Sequence, residues 1–262
     1  MSHALDRVRE VARKDKEARF TALLHHVDHD RLRSAYRAIR PQAAPGVDGV
    51  TWAAYGQDLE ANLSDLHERL HAGRYRAKPS RRVYIPKADG RLRPLGIASL
   101  EDKILQRAVC RGAQRHLRGG LPGLLLRVPA GSQPAPRVGC ARGRDRAEEC
   151  ELVLDADIRE FFTSLDHRWL MKFLEHRIAD QRVLRLIGKW LSAGVIEDGE
   201  WSQTVEGAPQ GASASPLLAN VYLHYVFDLW ARWWRSRHAH GDVIIVRFAD
   251  DCVPRTRLEV AM

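Results

Sequence analysis

Three aspartates are the residues whose type and position could do chemistry. Asp250 and Asp251 follow an apolar run at 243–246, and Asp157 closes another run that begins at Leu152. An Asp-Asp pair alone is more typical of a solvated turn than of a site. A third carboxylate at the end of a second buried strand favours a site, because charged groups there are costly unless they are paired or bind cations.

The chemistry that suits these carboxylates is metal-assisted nucleotidyl transfer. Hard oxygen ligands from two adjoining strands suit Mg²⁺, which binds one or two carboxylates and keeps the rest of its coordination shell for water and phosphate. Two such ions about 4 Å apart activate a hydroxyl and stabilise the leaving group in an in-line displacement. The sequence therefore predicts a site for two Mg²⁺ ions, with Mn²⁺ as a substitute, that acts on a 3′-hydroxyl and releases pyrophosphate.

Other motifs fit this reaction but have simpler explanations when taken singly. The loop Gly207-Ala-Pro-Gln-Gly211 precedes a helix and could line a nucleotide pocket, or it could be only a structural loop. A basic hairpin that carries Lys87 and Arg93 could hold a triphosphate, although such a hairpin is usually a solvated face. Phe162 could stand against a sugar, or it could belong to the core.

The elements that must position these residues can be predicted from apolar spacing. Helical spacing predicts helices within 32–39 and 55–70, and again after Trp169, Val183 and Ser215. A basic hairpin is predicted over 82–97, with its turn at Ala88-Asp89-Gly90. Strands are predicted at 152–158 and 243–246. No helical or alternating period is visible in 110–151, and Pro254 makes 253–258 a poor strand because proline removes a ladder donor.

Composition limits the function classes. Hydrophobic residues make up 45% of the 262 residues and charged residues 29%, which is typical of a globular protein. The net charge of +9 favours a polyanionic partner, although a merely soluble basic protein is equally compatible. No run approaches the roughly 20 apolar residues of a membrane span, so we expect a cytoplasmic protein without signal peptide or anchor. The four cysteines lack the CxxC pairing that a zinc site would need.

Several motifs in a fixed order resemble bacterial group II intron reverse transcriptases, the intron-encoded proteins that also act as maturases. The resemblance covers about residues 31–109 and 153–251. It implies an α+β right-hand polymerase with fingers and palm, in which a ferredoxin-like palm sheet packs on helices and the thumb is missing. The motifs that carry it are Pro45–Gly49, Tyr84–Lys87, Arg93–Ile97, Asp157–Phe162, Gly207–Gly211, Ser215–Asn220 and Arg247–Asp251.

The resemblance also implies roles for individual residues. The partners it implies are an intron RNA template, a DNA primer or target, and dNTPs, with no membrane. Its implied role is to copy intron RNA into DNA and to help that RNA fold for splicing. By this resemblance Asp157, Asp250 and Asp251 bind two Mg²⁺ ions, and Ile158 contacts metal and substrate. Phe162 is a steric gate against ribose, and Lys87 and Arg93 contact the triphosphate. The nascent pair is contacted by Pro209, Gln210 and Gly211.

The expected organisation has five segments. They are a basic helical extension at 1–30, fingers at 31–109, an out-of-frame and disordered segment at 110–152, a palm at 153–251, and a divergent, truncated tail at 252–262. The third segment departs most from the family, which should show two helices around a Gly-Phe-Arg-Pro-Gly turn there. Codons can be written for residues 110–131 that, shifted by one base, encode VEVLNAIYEEDFLGFSYGFRPG. The same shift over 132–147 permits RSQHRALDALAVGIER, which restores an apolar period.

This departure leads us to expect that the present copy is defective as a polymerase. The tail supports the same expectation, because we predict neither the strand after Asp251 that would complete the catalytic hairpin nor the thumb that should follow it. Two other hypotheses remain open. The chain could be an RNA-binding splicing cofactor without polymerase activity, which its basic fingers favour, or the non-functional remnant of a mobile element. The motifs between Pro45 and Ile97 argue against another class of template-directed polymerase.

Overall fold

The computed structural model describes residues 10–11, 14–15, 18–86, 90–120, 150–208, 211–238 and 243–258. Its N-terminal part is helical, as the apolar spacing predicts. A short 3₁₀ turn, Leu24–His26, precedes α1 (His29–Arg37), α2 (Trp52–Gln57) and α3 (Leu59–His71). Asp28 caps α1 and Thr51 caps α2, each side chain accepting a hydrogen bond from a backbone N–H of the first turn. The inward faces of α1 and α3 are fully buried at Leu32, Leu63 and Leu66.

A four-stranded sheet follows these helices and contains the predicted basic hairpin. Strand β1 (Ser80–Pro86) pairs antiparallel with β2 (Leu92–Ile97), placing Ile85 opposite Arg93. The turn residues 87–89 lie outside the described residues, so the structure gives no position for Lys87. On its other side β1 runs parallel to β5 (Val195–Glu197), which itself pairs with β6 (Glu200–Ser202). The fingers sheet is therefore joined to an element from the second half of the chain.

Helix α4 (Leu100–Gly120) corrects one expectation. We predicted no helix from residue 110 onward, yet α4 includes residues 110–120 and ends at Gly120. The reason is cooperative: Ile104, Leu105 and Ala108 anchor its first half in the core, and extending a nucleated helix costs little. The stretch Cys110–Arg118 contains Ala, Gln, Leu and Arg, which are good helix formers. Residues 121–149 lie outside the described residues, so their predicted disorder stays a prediction.

The second half supplies the helices that lie behind the site. Helices α5 (His167–Glu175) and α6 (Gln181–Ser192) begin at the capping aspartates Asp166 and Asp180. Helix α7 (Ser215–Leu223) has proline in its first turn, passes into a π-helical turn (His224–Asp228), and continues as α8 (Leu229–Arg237). These elements confirm the helices predicted after Trp169, Val183 and Ser215. No helix in the described part of the chain combines the length and apolarity that crossing a membrane requires.

A second sheet, called the palm sheet below, consists of β3, β4, β7 and β8 and is built around the strand that we expected to be absent. Strand β8 (Asp251–Leu258) pairs with β7 (Val243–Phe248) on one side and with β3 (Cys150–Val153) and β4 (Ala156–Asp157) on the other. The prediction of a poor strand over 253–258 is therefore wrong.

The reason lies in the position of Pro254. Its carbonyl accepts a hydrogen bond from the Leu154 N–H at 3.0 Å, where the chain interrupts pairing between β3 and β4. In an antiparallel strand the N–H and C=O of one residue point to the same side. The N–H that Pro254 lacks would therefore face this interruption rather than a regular ladder. Strand β8 can for this reason contain the proline.

Candidate active site

The hairpin formed by β7 and β8 presents two of the three aspartates. Phe248 pairs with Asp251, which leaves Ala249 and Asp250 as a two-residue turn. Ala249 adopts a left-handed conformation, with φ of 53°. Two-residue hairpin turns require a positive φ at the first central position because this matches the twist of the flanking strands. The sequence thus folds into a tight turn even though its first residue is alanine rather than glycine.

The third aspartate lies directly across from this hairpin. Asp157 on β4 is the cross-strand partner of Asp251 on β8. The N–H of Ile158, the next residue, donates to the Asp250 carbonyl oxygen at 3.3 Å. The structure therefore brings the backbones of all three predicted ligands, and that of Ile158, to one edge of the palm sheet.

The local electrostatics agree with this proximity. Partial burial, followed by the charges of Asp250, Asp157 and Asp155, raises the pKa of the Asp251 carboxyl above its ordinary value. Asp155 did not figure among our candidate residues. The sequence signal for it is its position two residues before Asp157, since alternate residues of an extended chain lie on the same side. The edge therefore concentrates negative charge in the manner of a cation site.

The donor set fits Mg²⁺ in kind, because carboxylate and backbone carbonyl oxygens are its preferred protein ligands. The side chains as placed do not yet enclose an ion. Within the described ranges, no three acidic, histidine or cysteine side chains are arranged so that they could hold a metal ion. Asp157 and Asp251 are exposed and Asp250 is half-buried. Binding an ion here would therefore require side-chain rotation, although the backbones of the three aspartates already lie close together.

Phe162 and the glycine-rich loop lie against each other. The Ala208 N–H donates to the Phe162 carbonyl oxygen at 2.7 Å. Gly207 has φ of 86°, and a Cβ there would lie 2.8 Å from the same oxygen, so only glycine fits this approach without strain. Phe162 is half-buried and meets Phe161 edge-on, with ring centroids 5.4 Å apart. Its side chain is thus partly core, as the simpler interpretation of this residue predicted, and partly accessible.

The far end of this loop approaches the fingers. Pro209 and Gln210 lie outside the described residues, but Gly211 is placed with φ of 99°. A Cβ at Gly211 would lie 3.4 Å from the Gly96 carbonyl oxygen on β2. Arg93, three residues earlier on the same strand, is exposed. The loop therefore connects the vicinity of Phe162 to the basic hairpin.

A group of residues behind the turn had no role in the sequence predictions. Arg247 and Asn220 belong to the motifs at 247–251 and 215–220, and Asp228 lies outside every motif. In the structure the Arg247 guanidinium contacts both Asn220 and Asp228, and it also donates to the Ala249 carbonyl oxygen. A lone arginine ahead of an Asp-Asp turn does not reveal which distant residues it meets, so spacing offered no signal for Asp228.

Comparison with known proteins agrees with this architecture. Residues 85–257 match the family described as reverse transcriptase (RNA-dependent DNA polymerase). A chain of a solved Cas6-RT-Cas1–Cas2 complex superposes with a TM-score of 0.53 at 21% identity, covering 90% of this chain and 38% of that one. This likeness concerns the fold, which is the α+β fingers and palm of a right-hand polymerase.

Two curated relatives place the chain more narrowly. Protein YkfC of Escherichia coli K12 is 36% identical over 188 residues, which are 69% of this chain and 48% of YkfC. Group II intron-encoded protein LtrA of Lactococcus lactis subsp. cremoris is 29% identical over 224 residues, or 84% of this chain and 37% of LtrA. The chain thus spans half or less of the length of these relatives. It belongs to the reverse transcriptase (RNA-dependent DNA polymerase) family and is homologous to group II intron-encoded proteins.

Proposed function

We propose that this chain carries the fingers and palm of an RNA-directed DNA polymerase, with Asp157, Asp250 and Asp251 as ligands of two Mg²⁺ ions. The observation that carries the proposal is the cross-strand pairing of Asp157 with Asp251, beside a turn whose Asp250 carbonyl is held by the Ile158 N–H. This arrangement concentrates carboxylates at one point of the sheet. Family membership supports the same reaction.

In this proposal the protein mainly positions groups. Bound Mg²⁺ ions would supply activation of the primer 3′-hydroxyl and stabilisation of the leaving pyrophosphate. Asp157 and Asp251 hold their carboxylates on facing strands, and the tight turn holds Asp250 beside them. The Ile158 carbonyl is an additional oxygen donor at the same edge.

Substrate recognition is assigned to the fingers and to the loop that meets them. Arg93, with Lys87, contacts the triphosphate of the incoming dNTP, and Phe162 stands against its sugar. Pro209, Gln210 and Gly211 contact the nascent pair. Intron RNA is the proposed template and a DNA strand the proposed primer, as homology to a group II intron-encoded protein suggests. A maturase role in splicing the intron RNA belongs to the same proposal.

We further propose that polymerisation by this copy is impaired, and the structure changes the basis for that view. The tail no longer supports it, because β8 completes the hairpin that carries Asp250 and Asp251. The remaining basis is the segment within 110–152, whose sequence departs from the family. Restoring that segment while leaving the palm unchanged therefore provides a direct test.

The experiment compares this chain with a repaired chain in which residues 110–147 are replaced by the one-base-shifted reading. Primer extension on an RNA template measures activity, and titration with Mn²⁺ followed by electron paramagnetic resonance measures metal binding. We expect both chains to bind Mn²⁺, with loss of binding in Asp157→Asn, and only the repaired chain to synthesise cDNA efficiently. Asp250→Asn in the repaired chain should abolish synthesis.

Each outcome decides a separate part of the proposal. Equal synthesis by the two chains would refute the proposed defect. Mn²⁺ binding that Asp157→Asn does not weaken, together with an inactive repaired chain, would refute the polymerase assignment itself.

The exposed fingers hairpin favours RNA binding without polymerisation as a second candidate. Arg91 and Arg93 are exposed on it, and the aromatic ring of Tyr84 is half accessible. Basic and aromatic groups together bind single-stranded nucleic acid through phosphate contacts and base stacking. Filter binding with structured RNA and duplex DNA distinguishes the candidates: tight RNA binding by a chain whose repaired form makes no cDNA supports the cofactor role.

A further inference from the structure

Arg247 is a charged side chain near the proposed metal site that makes several hydrogen bonds. It lies on β7 two residues before Ala249, and its side chain is only 8% exposed. A buried guanidinium is costly unless its charge is paired and its donors are satisfied. The neighbours of this side chain therefore indicate what its burial achieves.

The guanidinium makes four hydrogen bonds. Nε and Nη2 donate to the two carboxylate oxygens of Asp228, both at 2.8 Å, in the two-pronged geometry that gives the strongest side-chain ion pairs. Nη1 donates to Asn220 Oδ1 at 3.0 Å and to the Ala249 carbonyl oxygen at 2.8 Å. Three of these hydrogen bonds thus tie the planar group to Asp228 and Asn220, and the fourth reaches the turn.

Asp228 is itself held in place by an irregular helix. It ends the π-helical turn His224–Asp228, in which the Leu229 N–H donates to the His224 carbonyl five residues back. Single π-helical turns inside α-helices are frequent at functional sites. Burial is the largest influence on the Asp228 carboxyl and would raise its pKa, but the hydrogen bonds to Arg247 and His224, together with the charges of both residues, outweigh burial and lower the pKa. Asp228 therefore stays ionised, and Arg247 keeps its partner.

The turn that Arg247 reaches is strained and carries Asp250. A left-handed φ costs a residue with a Cβ about 1–2 kcal/mol relative to a right-handed one, so the Ala249 conformation has to be supported by its surroundings. Arg247 holds the carbonyl of Ala249, and the Ile158 N–H holds the carbonyl of Asp250. Both peptide groups that flank the Asp250 Cα are therefore anchored, one by Arg247 of β7 and one by Ile158, which follows β4.

We infer that Arg247, oriented by Asp228 and Asn220, is a positioning residue that sets the direction of the Asp250 carboxylate for metal binding. This inference rests on the proposed function and deepens it. Residues that orient metal ligands through a second hydrogen bond commonly change metal affinity about 10- to 100-fold when they are altered. A purely structural role, in which Arg247 only ties β7 to the helices, would change stability without changing metal affinity.

Mn²⁺ affinity of the full chain, followed by electron paramagnetic resonance, separates these two roles. The test variants are Arg247→Lys, which keeps the charge but loses the fork, and Asp228→Asn, which keeps the shape but loses the ion pair. The matched control is Arg69→Lys, because Arg69 of α3 donates at 2.7 Å to Asp65 in the same helix and to Glu101 of α4, and none of these residues belongs to the palm sheet. Thermal unfolding of every variant reports stability separately.

We expect both test variants to bind Mn²⁺ about 10- to 100-fold more weakly than the unaltered chain. Arg69→Lys should lower the unfolding temperature and leave Mn²⁺ affinity unchanged. Should Arg247→Lys fail to fold, Asp228→Asn carries the test alone. Unchanged affinity in a folded Arg247 or Asp228 variant, while Asp157→Asn abolishes binding, overturns the inference and leaves the proposed function standing. Insensitivity to Asp157→Asn overturns both.

Discussion

Changing Tyr75 to phenylalanine should destabilise the protein more than loss of one hydroxyl ordinarily does. Tyr75 follows α3 and is 2% exposed. Its hydroxyl donates to the carboxylate of Asp102 in α4 and accepts from Trp190 Nε1 of α6 at 3.3 Å. Asp102 is equally buried and also accepts from Ser99 Oγ at 2.6 Å. The hydroxyl therefore joins the fingers to a helix of the second half of the chain.

The magnitude follows from what the change leaves behind. A hydrogen bond to a charged group contributes about 1.5–3 kcal/mol, and a buried donor deprived of its acceptor costs about 1 kcal/mol or more. Phenylalanine keeps the ring and so creates no large cavity. The loss of the Asp102 bond and of the acceptor for Trp190 together predict roughly 3 kcal/mol. For a chain of this size that corresponds to about 6–12 °C in the unfolding temperature.

The matched control is Tyr36→Phe, measured in the same thermal and urea unfolding experiments. Tyr36 is also buried, but its hydroxyl donates to a neutral acceptor, the Trp52 carbonyl oxygen, at 2.9 Å. Losing that bond should cost about 1 kcal/mol, or roughly 2–4 °C. If Tyr75→Phe proves no more destabilising than Tyr36→Phe, the buried carboxylate does not strengthen the junction and the reasoning fails.

Burial raises the pKa of Asp102, so the folded state holds the proton more tightly than the unfolded one. As pH falls from above the raised pKa toward the ordinary value near 4, the free energy of unfolding of the unaltered chain should therefore increase relative to that of Asp102→Asn. Denaturant titrations of both chains across that pH range measure the difference. Gly207→Ala should cost about 3 kcal/mol or more, because its Cβ would meet two backbone oxygens at 2.8 and 2.9 Å. The control Gly73→Ala has a similar φ but open space, and it should cost only the conformational 1–2 kcal/mol in the same titrations. Independent sequencing of the gene across codons 108–153 should give codons compatible with the one-base-shifted reading, and a single incompatible codon would refute the frameshift.

What the sequence predicted correctly was local. Leu63, Leu66 and Leu70 recur at helical spacing and are buried along α3. The basic hairpin was predicted from two strand-like segments separated by a glycine-containing turn, and it forms with Ile85 opposite Arg93. The proximity of Asp157 to the Asp250–Asp251 pair could be predicted because Asp157 and this pair each lie at the end of an apolar segment. These patterns are short in sequence, and the backbone rules behind them need no knowledge of distant partners.

What the sequence did not reveal depends on partners far along the chain. Considered alone, Pro254 argued against a strand at 253–258. In the structure the N–H that proline lacks would face the interruption between β3 and β4, so the strand forms despite it. The extension of α4 to Gly120 rests on a core anchor at its beginning rather than on an apolar period of its own. Asp228 acquires its importance only from Arg247, 19 residues later. No spacing rule connects such residues, because the link exists only after the sheet and helices have packed.

Because Asp157 and Asp251 are cross-strand partners, we expect the stability of β8 and metal binding to depend on each other. Like charges directly opposite in an antiparallel ladder destabilise it, and here Asp155 and Asp250 add to the repulsion that Asp251 experiences. A divalent cation reverses the sign of this interaction, and a ligand that binds only the folded state stabilises it in proportion to RT ln(1 + [L]/Kd). Because β8 contributes Asp251 and pairs with β3, β4 and β7 at once, an ion bound at this edge would stabilise the central strand of the palm sheet. The carboxylates that repel one another across the palm sheet would thus make its stability depend on the ion that the proposed catalysis uses.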